Sequence, residues 1–388
     1  MPLAAPAVTA LPDVAPPVAL RDVDGRQPRI LVVSGSVGAG HDGVASELAR
    51  RLRAMGLTVH RKDYLAAMPP RCRTILRAGY PITVGHISPF FEWLFQSIED
   101  NATVRAIVLA FSRLACRQMR SWLAEGYDVV VSTYPLASQA LGYLRERGEL
   151  TTPVVTILTD PAAHRTWVHT GVDWHLTITE ATAEHGSMTY GVPMYASGPL
   201  VPERFGRHCD TGRAALRREL GLPLDTPLAL LVTGSLGLGN VVSSARDVRD
   251  TGVATPVVLC GHNGRLRRSL AGEPGIVALG WRDDVPNLMA AADVLVHNAG
   301  GLSFTEALTA GLPAVSYACL PGHGRANAEV LDRAGLAPWA HTPAALADAL
   351  RTQLRRPRPE PWQQAHGTDA ATHIADLAWA RVSVQQRR

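Results

Sequence analysis

Two stretches of this chain share one pattern of apolar and small polar positions. Ile30–His41 reads ILVVSGSVGAGH and Ala229–Asn240 reads ALLVTGSLGLGN. In both, an apolar run passes through a small hydroxyl residue into Gly-Ser-x-Gly-x-Gly. A continuous apolar run ending in a glycine-rich turn predicts a strand buried on both faces that feeds a helix. After the first turn, Val44, Leu48, Leu52 and Met55 fall on one helical face, and Gly56 is placed to stop the helix. Further strand-like runs are Asp128–Ser132, Val154–Thr159 and Trp174–Ile178, then Val257–Cys260, Val294–His297 and Ala314–Tyr317. Helical stretches separate most of them, which predicts α/β architecture with parallel sheets covered on both faces.

The chain has 388 residues, enough for two domains that each bury a core. The expected division is a Pro/Ala-rich tail over 1–28, Rossmann-like doubly wound domains over 29–200 and 201–360, and a C-terminal helix over 361–388 packing back on the first domain. Ligands bind such sheets at the carboxyl ends of their strands. Two such domains facing across a cleft suit a reaction between two bound molecules.

Composition narrows the field. Hydrophobic residues make up 46% and charged residues 19%, which excludes a fibrous or wholly disordered chain. A net charge of +4 is too small for a dedicated nucleic-acid binder. No apolar run approaches the ~18–20 residues of a membrane span, so any membrane contact is peripheral. The five cysteines are far apart and show no metal or redox spacing, which points to reduced thiols and a cytoplasmic setting. The tail lacks the basic start and apolar core of a signal peptide.

Glycine-rich strand-to-helix turns aim backbone N–H groups at a ligand, and the helix dipole favours an anion there. Neither turn has the G-x-G-x-x-G spacing of dinucleotide enzymes, although Asp63 stands where such an enzyme holds its ribose. The first turn ends in His41 and the second in Asn240. An imidazole at a helix start stays neutral and able to accept a proton, so His41 is either a general base or only a cap. A second constellation runs from Asp293 to Pro313: a strand, the Gly300-Gly301 turn, a short helix and a glycine stop. That helix start offers N–H groups to a diphosphate, and Glu306 could accept from the two hydroxyls of a ribose.

With these motifs the chain resembles the family 28 glycosyltransferases of GT-B fold, in the branch of monogalactosyldiacylglycerol synthase and processive diacylglycerol glucosyltransferase. The lipid II N-acetylglucosaminyltransferase is a more distant likeness. The resemblance spans about Ile30 to Ala340 and rests on SGSVGAGH (34–41), TDPAAHRTW (159–167), GSLGLGN (234–240), VVLCGHNGRL (257–266), the 279–313 segment and PGHGRANA (321–328). It implies a UDP-sugar as co-substrate on the C-terminal domain, a lipid acceptor on the N-terminal domain, and no metal cofactor. By the same resemblance, Gly234, Ser235, Gly237, Gly239 and Asn240 line the diphosphate and sugar. Gly300, Gly301, Leu302 and Ser303 supply backbone donors, Glu306 takes the ribose, and His323 and Asn327 face the sugar. Gly38, Gly40, His164 and Trp167 line the acceptor side, where His41 acts as base and Asp160 orients it.

Two departures stand out. The family's P-G-Q-E-x-x-N is Pro321-Gly322-His323-Gly324-Arg325-Ala326-Asn327 here, so the Gln and Glu that contact sugar hydroxyls are replaced. The interdomain G-x-P-[IV]-R becomes Gly198-Pro-Leu-Val-Pro, with Arg204 as a candidate substitute. For the acceptor, Pro89–Phe95 gathers three phenylalanines and a tryptophan, and Arg113, Arg117 and Arg120 share a helical face. These residues suit either an anionic lipid surface at the inner leaflet or an ordinary core with a solvated face. Diacylglycerol is the implied acceptor. A natural-product transferase, an epimerase or hydrolase of UDP-sugars, and a non-enzymatic binder are the alternatives.

Overall fold

The computed structural model describes residues 26–85, 88–206, 212–232, 234, 239–359 and 369–386. Most of the expected tail, Ser235, Gly237 and Cys209 lie outside them. The chain forms two compact units. One contains residues 93–200 together with the preceding chain up to Tyr80 and the 369–386 segment; the other contains Pro81–Glu92 and the chain from Val201 to residue 359. The seam at Leu200–Val201 coincides with a loop, whereas the assignment of 81–92 to the second unit has no marker in the sequence.

The first unit holds β1 (Arg29–Ser34), β2 (Thr58–Asp63), β3 (Val129–Ser132), β4 (Val154–Ile157), β5 (Trp174–Thr177) and β6 (Met194–Ala196). They form a parallel sheet in the order β2-β1-β3-β4-β5-β6. The second unit holds β7 (Leu228–Val232), β8 (Thr255–Leu259), β9 (Val277–Leu279), β10 (Val294–His297), β11 (Ala314–Tyr317) and β12 (Trp339–Ala340). Their order is β12-β11-β10-β7-β8-β9, the doubly wound arrangement of dinucleotide-binding sheets. In each sheet the glycine turn follows the strand at which the order reverses, β1 or β7.

Both sheets are buried on both faces. Ile30 and Val32 pack into one core of the first unit while Leu31 and Val33 pack into the other. In β7, Leu228 and Leu230 alternate in the same way with Ala229 and Leu231. The first helix, Ala39–Ala54, buries Val44, Leu48 and Leu52 as its spacing predicts. Met55 differs: it follows the last helical residue and is exposed, so the apolar stripe ends a turn earlier than expected. Gly56 stops the helix with φ +84°. The C-terminal helix Ala370–Gln386 inserts Ala370, Ala371, Ile374 and Ala378 into the core beneath β1 and beside the first helix.

One device recurs at the amino ends of the strands. Asp128, just before β3, accepts from Arg29 N at the head of β1 at 2.8 Å and pairs with Arg26. Asp173, before β5, accepts from Val154 N at the head of β4 and pairs with Arg145. Asp293, before β10, accepts from Leu228 N at the head of β7 and pairs with Arg213 and Arg217. Each carboxylate satisfies the first N–H of a neighbouring strand and so fixes register. The amino ends are thereby occupied by structure, and the carboxyl ends are left for chemistry.

Candidate functional site

In the first unit the carboxyl end of β1 runs into Gly35, where a side chain has no room: a Cβ would lie 2.5 Å from the Tyr134 ring. Asp42, in the first turn of the Ala39–Ala54 helix, accepts from Ser34 Oγ at 2.6 Å and Ser36 Oγ at 2.8 Å. Asp63 accepts from Ser36 N at 3.2 Å and Leu65 N at 3.0 Å. The acid that a dinucleotide enzyme would aim at a ribose is thus spent on this turn and on the start of the next helix. With two carboxylates of its own already bound, the turn is a poor host for a phosphate. Gly38 is extended at φ −159° with open space around it, and Gly40 lies within the first helical turn.

His41 is half-buried on that turn. Its Nδ1 lies 2.9 Å from Thr159 Oγ1, and its ring meets the edge of Tyr134 at 5.2 Å and Trp167 at 5.8 Å. Trp167 is buried and donates from Nε1 to Asp160 Oδ2 at 3.1 Å. The structure therefore gathers His41, Asp160 and Trp167, with Thr159 as the group at the imidazole's Nδ1. Thr159 and Tyr134 are the residues that sequence reasoning missed. Thr159 stands next to Asp160 at the end of a predicted strand, which was a usable signal; Tyr134 offered none.

His164 is placed differently from expectation. It is buried, stacks on Phe95 at 3.9 Å, and has Nδ1 at Thr166 Oγ1 and Nε2 at Phe95 O. Packing takes up this imidazole, because it lies under the Ser88–Asp100 helix rather than on an open surface. Glu99 fastens the same helix by accepting from Arg165 N and Tyr190 OH. The arginine face is exposed, but part of it is engaged locally. Arg113 lies over the Tyr143 ring at 4.3 Å and Arg120 pairs with Glu149, so two of the three are tied to their own unit.

In the second unit, Gly234 and Gly239 take φ +71° and +94°, the left-handed region open to glycine. Asn240 caps the Val241–Asp250 helix by position only; its side chain makes no capping bond, and the first turn contains no acid. The Gly301–Thr309 helix starts in the same way, with Gly300 as N-cap, no side-chain cap and no acid in its first turn. Gly301, Leu302 and Ser303 therefore carry the N–H groups of an uncapped helix start.

Two alanines with positive φ mark this end of the sheet, Ala299 after β10 (φ +65°) and Ala318 after β11 (φ +46°). Such strain costs about 1–2 kcal/mol per residue and is retained where the backbone has a task. Asn327, expected to face the sugar, is instead fully buried and donates from Nδ2 to Ala299 O at 3.0 Å. It holds the strained turn that opens the Gly301–Thr309 helix. Glu306 is half-buried on that helix; burial pushes its carboxyl up to about 8, and the Arg204 guanidinium pulls the other way. His323 opens the His323–Arg333 helix with its ring edge-on to Phe91.

Comparisons with known proteins bear on the class and the fold of the chain. Residues 41–192 match the family model of monogalactosyldiacylglycerol (MGDG) synthase, and residues 231–356 match that of glycosyl transferases group 1. Processive diacylglycerol beta-glucosyltransferase from Bacillus cereus (strain AH187) is 24% identical over 382 residues, covering 93% of this chain and 95% of the relative. The enzyme of that name from Bacillus mycoides (strain KBAB4) is 24% identical over 377 residues, covering 92% and 94%. Among solved structures, MurG of Acinetobacter baumannii superposes with TM-score 0.56 at 18% identity, covering 92% of this chain and 100% of that one. Anabaena Alr3699/HepE in complex with UDP-glucose gives 0.51 at 14%, covering 93% and 95%. The chain is a glycosyltransferase of GT-B fold.

Proposed function

We propose that the chain transfers a hexose from a UDP-sugar to a diacylglycerol-type lipid, with inversion at the anomeric carbon, at the cytoplasmic face of the cell membrane. The observation that carries this reading is an asymmetry of charge. The first unit's glycine turn is already bound to Asp42 and Asp63, whereas the second unit's helix starts at 241 and 301 have no acid in their first turns. A diphosphate belongs on the second unit, and a neutral hydroxyl suits the first. The names of the relatives support a diacylglycerol acceptor and a glucosyl donor.

In this reading the acceptor oxygen attacks C1 of the sugar, and the bond from C1 to the diphosphate breaks with its electron pair going to UDP. His41 takes the acceptor's proton at Nε2, with Nδ1 held at Thr159. Asp160, fixed by Trp167, sits with this group and favours the imidazolium that forms. Backbone N–H groups of Gly301, Leu302 and Ser303 offset the charge gained by UDP, and Glu306 accepts from the ribose hydroxyls. The reaction then needs no metal ion.

No described helix is long and apolar enough to cross a membrane. Surface attachment is supported by Ile75, Trp93, Ile107 and Leu114, which are exposed on the first unit, with Arg71 and Arg117 also exposed nearby in the chain. Incubation of the purified chain with radiolabelled UDP-sugars and total membrane lipid, with and without chelator, tests the proposal. Label extracted with lipid at the same rate in both arms is expected. Label released only as free sugar would overturn the transfer, and loss of activity on chelation would overturn the metal-free step.

A further inference from the structure

We propose that Arg358 is a positioning residue for the donor: it holds the Gly301–Thr309 helix so that the helix start meets the diphosphate. The inference rests on the donor-site reading above. Arg358 stands between Pro357 and Pro359, just past the Pro343–Arg355 helix. Prolines on both sides keep the backbone extended and remove two N–H donors, so what this segment offers its neighbours is the guanidinium.

That guanidinium spends all five of its donors on backbone carbonyls. Nε donates to Gly311 O at 3.2 Å, one terminal nitrogen to Ala290 O and Ala292 O at 3.2 Å, and the other to Met289 O at 3.0 Å and Ala310 O at 3.3 Å. Met289, Ala290 and Ala292 belong to the end of the Val285–Ala291 helix, and Ala310 and Gly311 to the end of the Gly301–Thr309 helix. Arg358 therefore ties the carboxyl ends of two helices together, where β10 and β11 begin. Burial pushes its pKa down to about 10, with Arg213 acting in the same direction and Asp293 against it, so the group stays charged at neutral pH.

The Gly301–Thr309 helix has nine residues and spans about 13 Å, with the proposed phosphate site at one end and the Arg358 clamp at the other. No side chain caps its start, where Asn327 fixes the strained Ala299 just ahead of it. In so short a rod, a loosened carboxyl end tilts the axis and shifts the N–H groups at the start. Those groups stabilise phosphate oxygens only when they converge on them at hydrogen-bond distance. The charge acts in the same sense. A cation at the carboxyl end offsets the helix's negative pole, so an anion at Gly301 meets the positive pole with less opposition. Arg217 is the internal comparison: it donates to Ala291 O at 2.9 Å and pairs with Asp293, so it holds the end of the Val285–Ala291 helix but not that of the Gly301–Thr309 helix.

Calorimetry on the full chain with UDP and with uridine, for the wild type, R358Q, R358K and R217Q, tests this, with thermal melts alongside. The wild type is expected to bind UDP more tightly than uridine. R358Q should lose about tenfold for UDP, as for one misaligned hydrogen bond to a charged group, and keep uridine affinity within about twofold. R358K, which retains the charge without the planar fork, should lose about threefold for UDP. R217Q should lower the melting temperature and leave the ratio of UDP to uridine affinity unchanged. A wild-type ratio in R358Q overturns the inference. So does an equal fall in R217Q, which would mean that any loosening of this core weakens UDP binding. If R358Q does not fold, an unchanged ratio in R358K overturns it instead. A wild type that binds UDP no better than uridine refutes the diphosphate site itself, and the inference with it.

Discussion

The two glycine turns are the same in sequence pattern and opposite in chemistry. Gly35 and Gly234 occupy equivalent places after β1 and β7, yet the first is glycine because Tyr134 stands 2.5 Å from any Cβ, and the second because its φ is +71°. One turn on, the first unit has Asp42 bound to Ser34 and Ser36, where the second has the apolar Val241. The lesson is that a glycine-rich strand-to-helix turn does not specify a phosphate site. What specifies it is whether the protein has already neutralised the helix start with an acid of its own. Under the proposed function, the unit that has done so holds an imidazole beside a neutral substrate.

The sharpest way to separate the two units is to remove the group that only the first one has. His41→Ala should lower turnover by roughly 10²–10⁴-fold, the usual worth of a general base, with UDP affinity unchanged. Steady-state rates together with calorimetric UDP binding would check both halves. A comparable loss of UDP affinity would mean that the first turn handles the diphosphate after all, and the contrast between the units would collapse.

The second unit's own signature is pH. Glu306 titrates at about 8 because burial disfavours its charge. If Glu306 accepts from the two ribose hydroxyls, as proposed, it must do so as the carboxylate, and UDP binding should release a proton. Affinity should rise with pH, by up to about tenfold per unit below 8, and level off above it. E306Q should retain only the titration of UDP itself. Stability of the unliganded protein has the opposite slope. The folded state keeps a proton that the unfolded chain gives up near 4.5, so this residue's contribution declines as pH climbs from about 4.5 to about 8. Thermal melts of wild type and E306Q across that range would display the difference.

Much of this was legible in the chain. The apolar runs at 30–33 and 229–232, the alternating elements and the Gly300-Gly301 helix start all follow from local pattern, because a doubly buried strand and a glycine turn have short-range signatures. Three features were not legible, each because its cause lies far along the chain. Nothing near Gly35 announces Tyr134, and nothing near His164 announces the Phe95 ring stacked on it. Asn327 reads as a polar residue on a helix facing a ligand, but it is buried because Ala299 O, 28 residues away, needs a donor. The strain at Ala299 and Ala318 is equally silent, since alanine carries no hint of positive φ.

The smallest effect goes directly at the difference between the turns. Asn240 is exposed at the start of the Val241–Asp250 helix, in the place that His41 holds in the first unit. Asn240→Asp gives the second turn what the first already has, a fixed negative charge at a helix start. An acid there should stabilise the helix, by about 0.3–1 kcal/mol, so the melting temperature should hold or rise. The same charge opposes a diphosphate, and UDP affinity should fall by about fivefold, more at low salt than at high. Opposite signs for stability and binding are the point of the test, because a variant that is merely damaged loses both. If UDP binds the N240D protein as well as the wild type, at low salt and with the melt unchanged, the 234–240 turn is not where the diphosphate lies, and the 301 helix start must hold it alone.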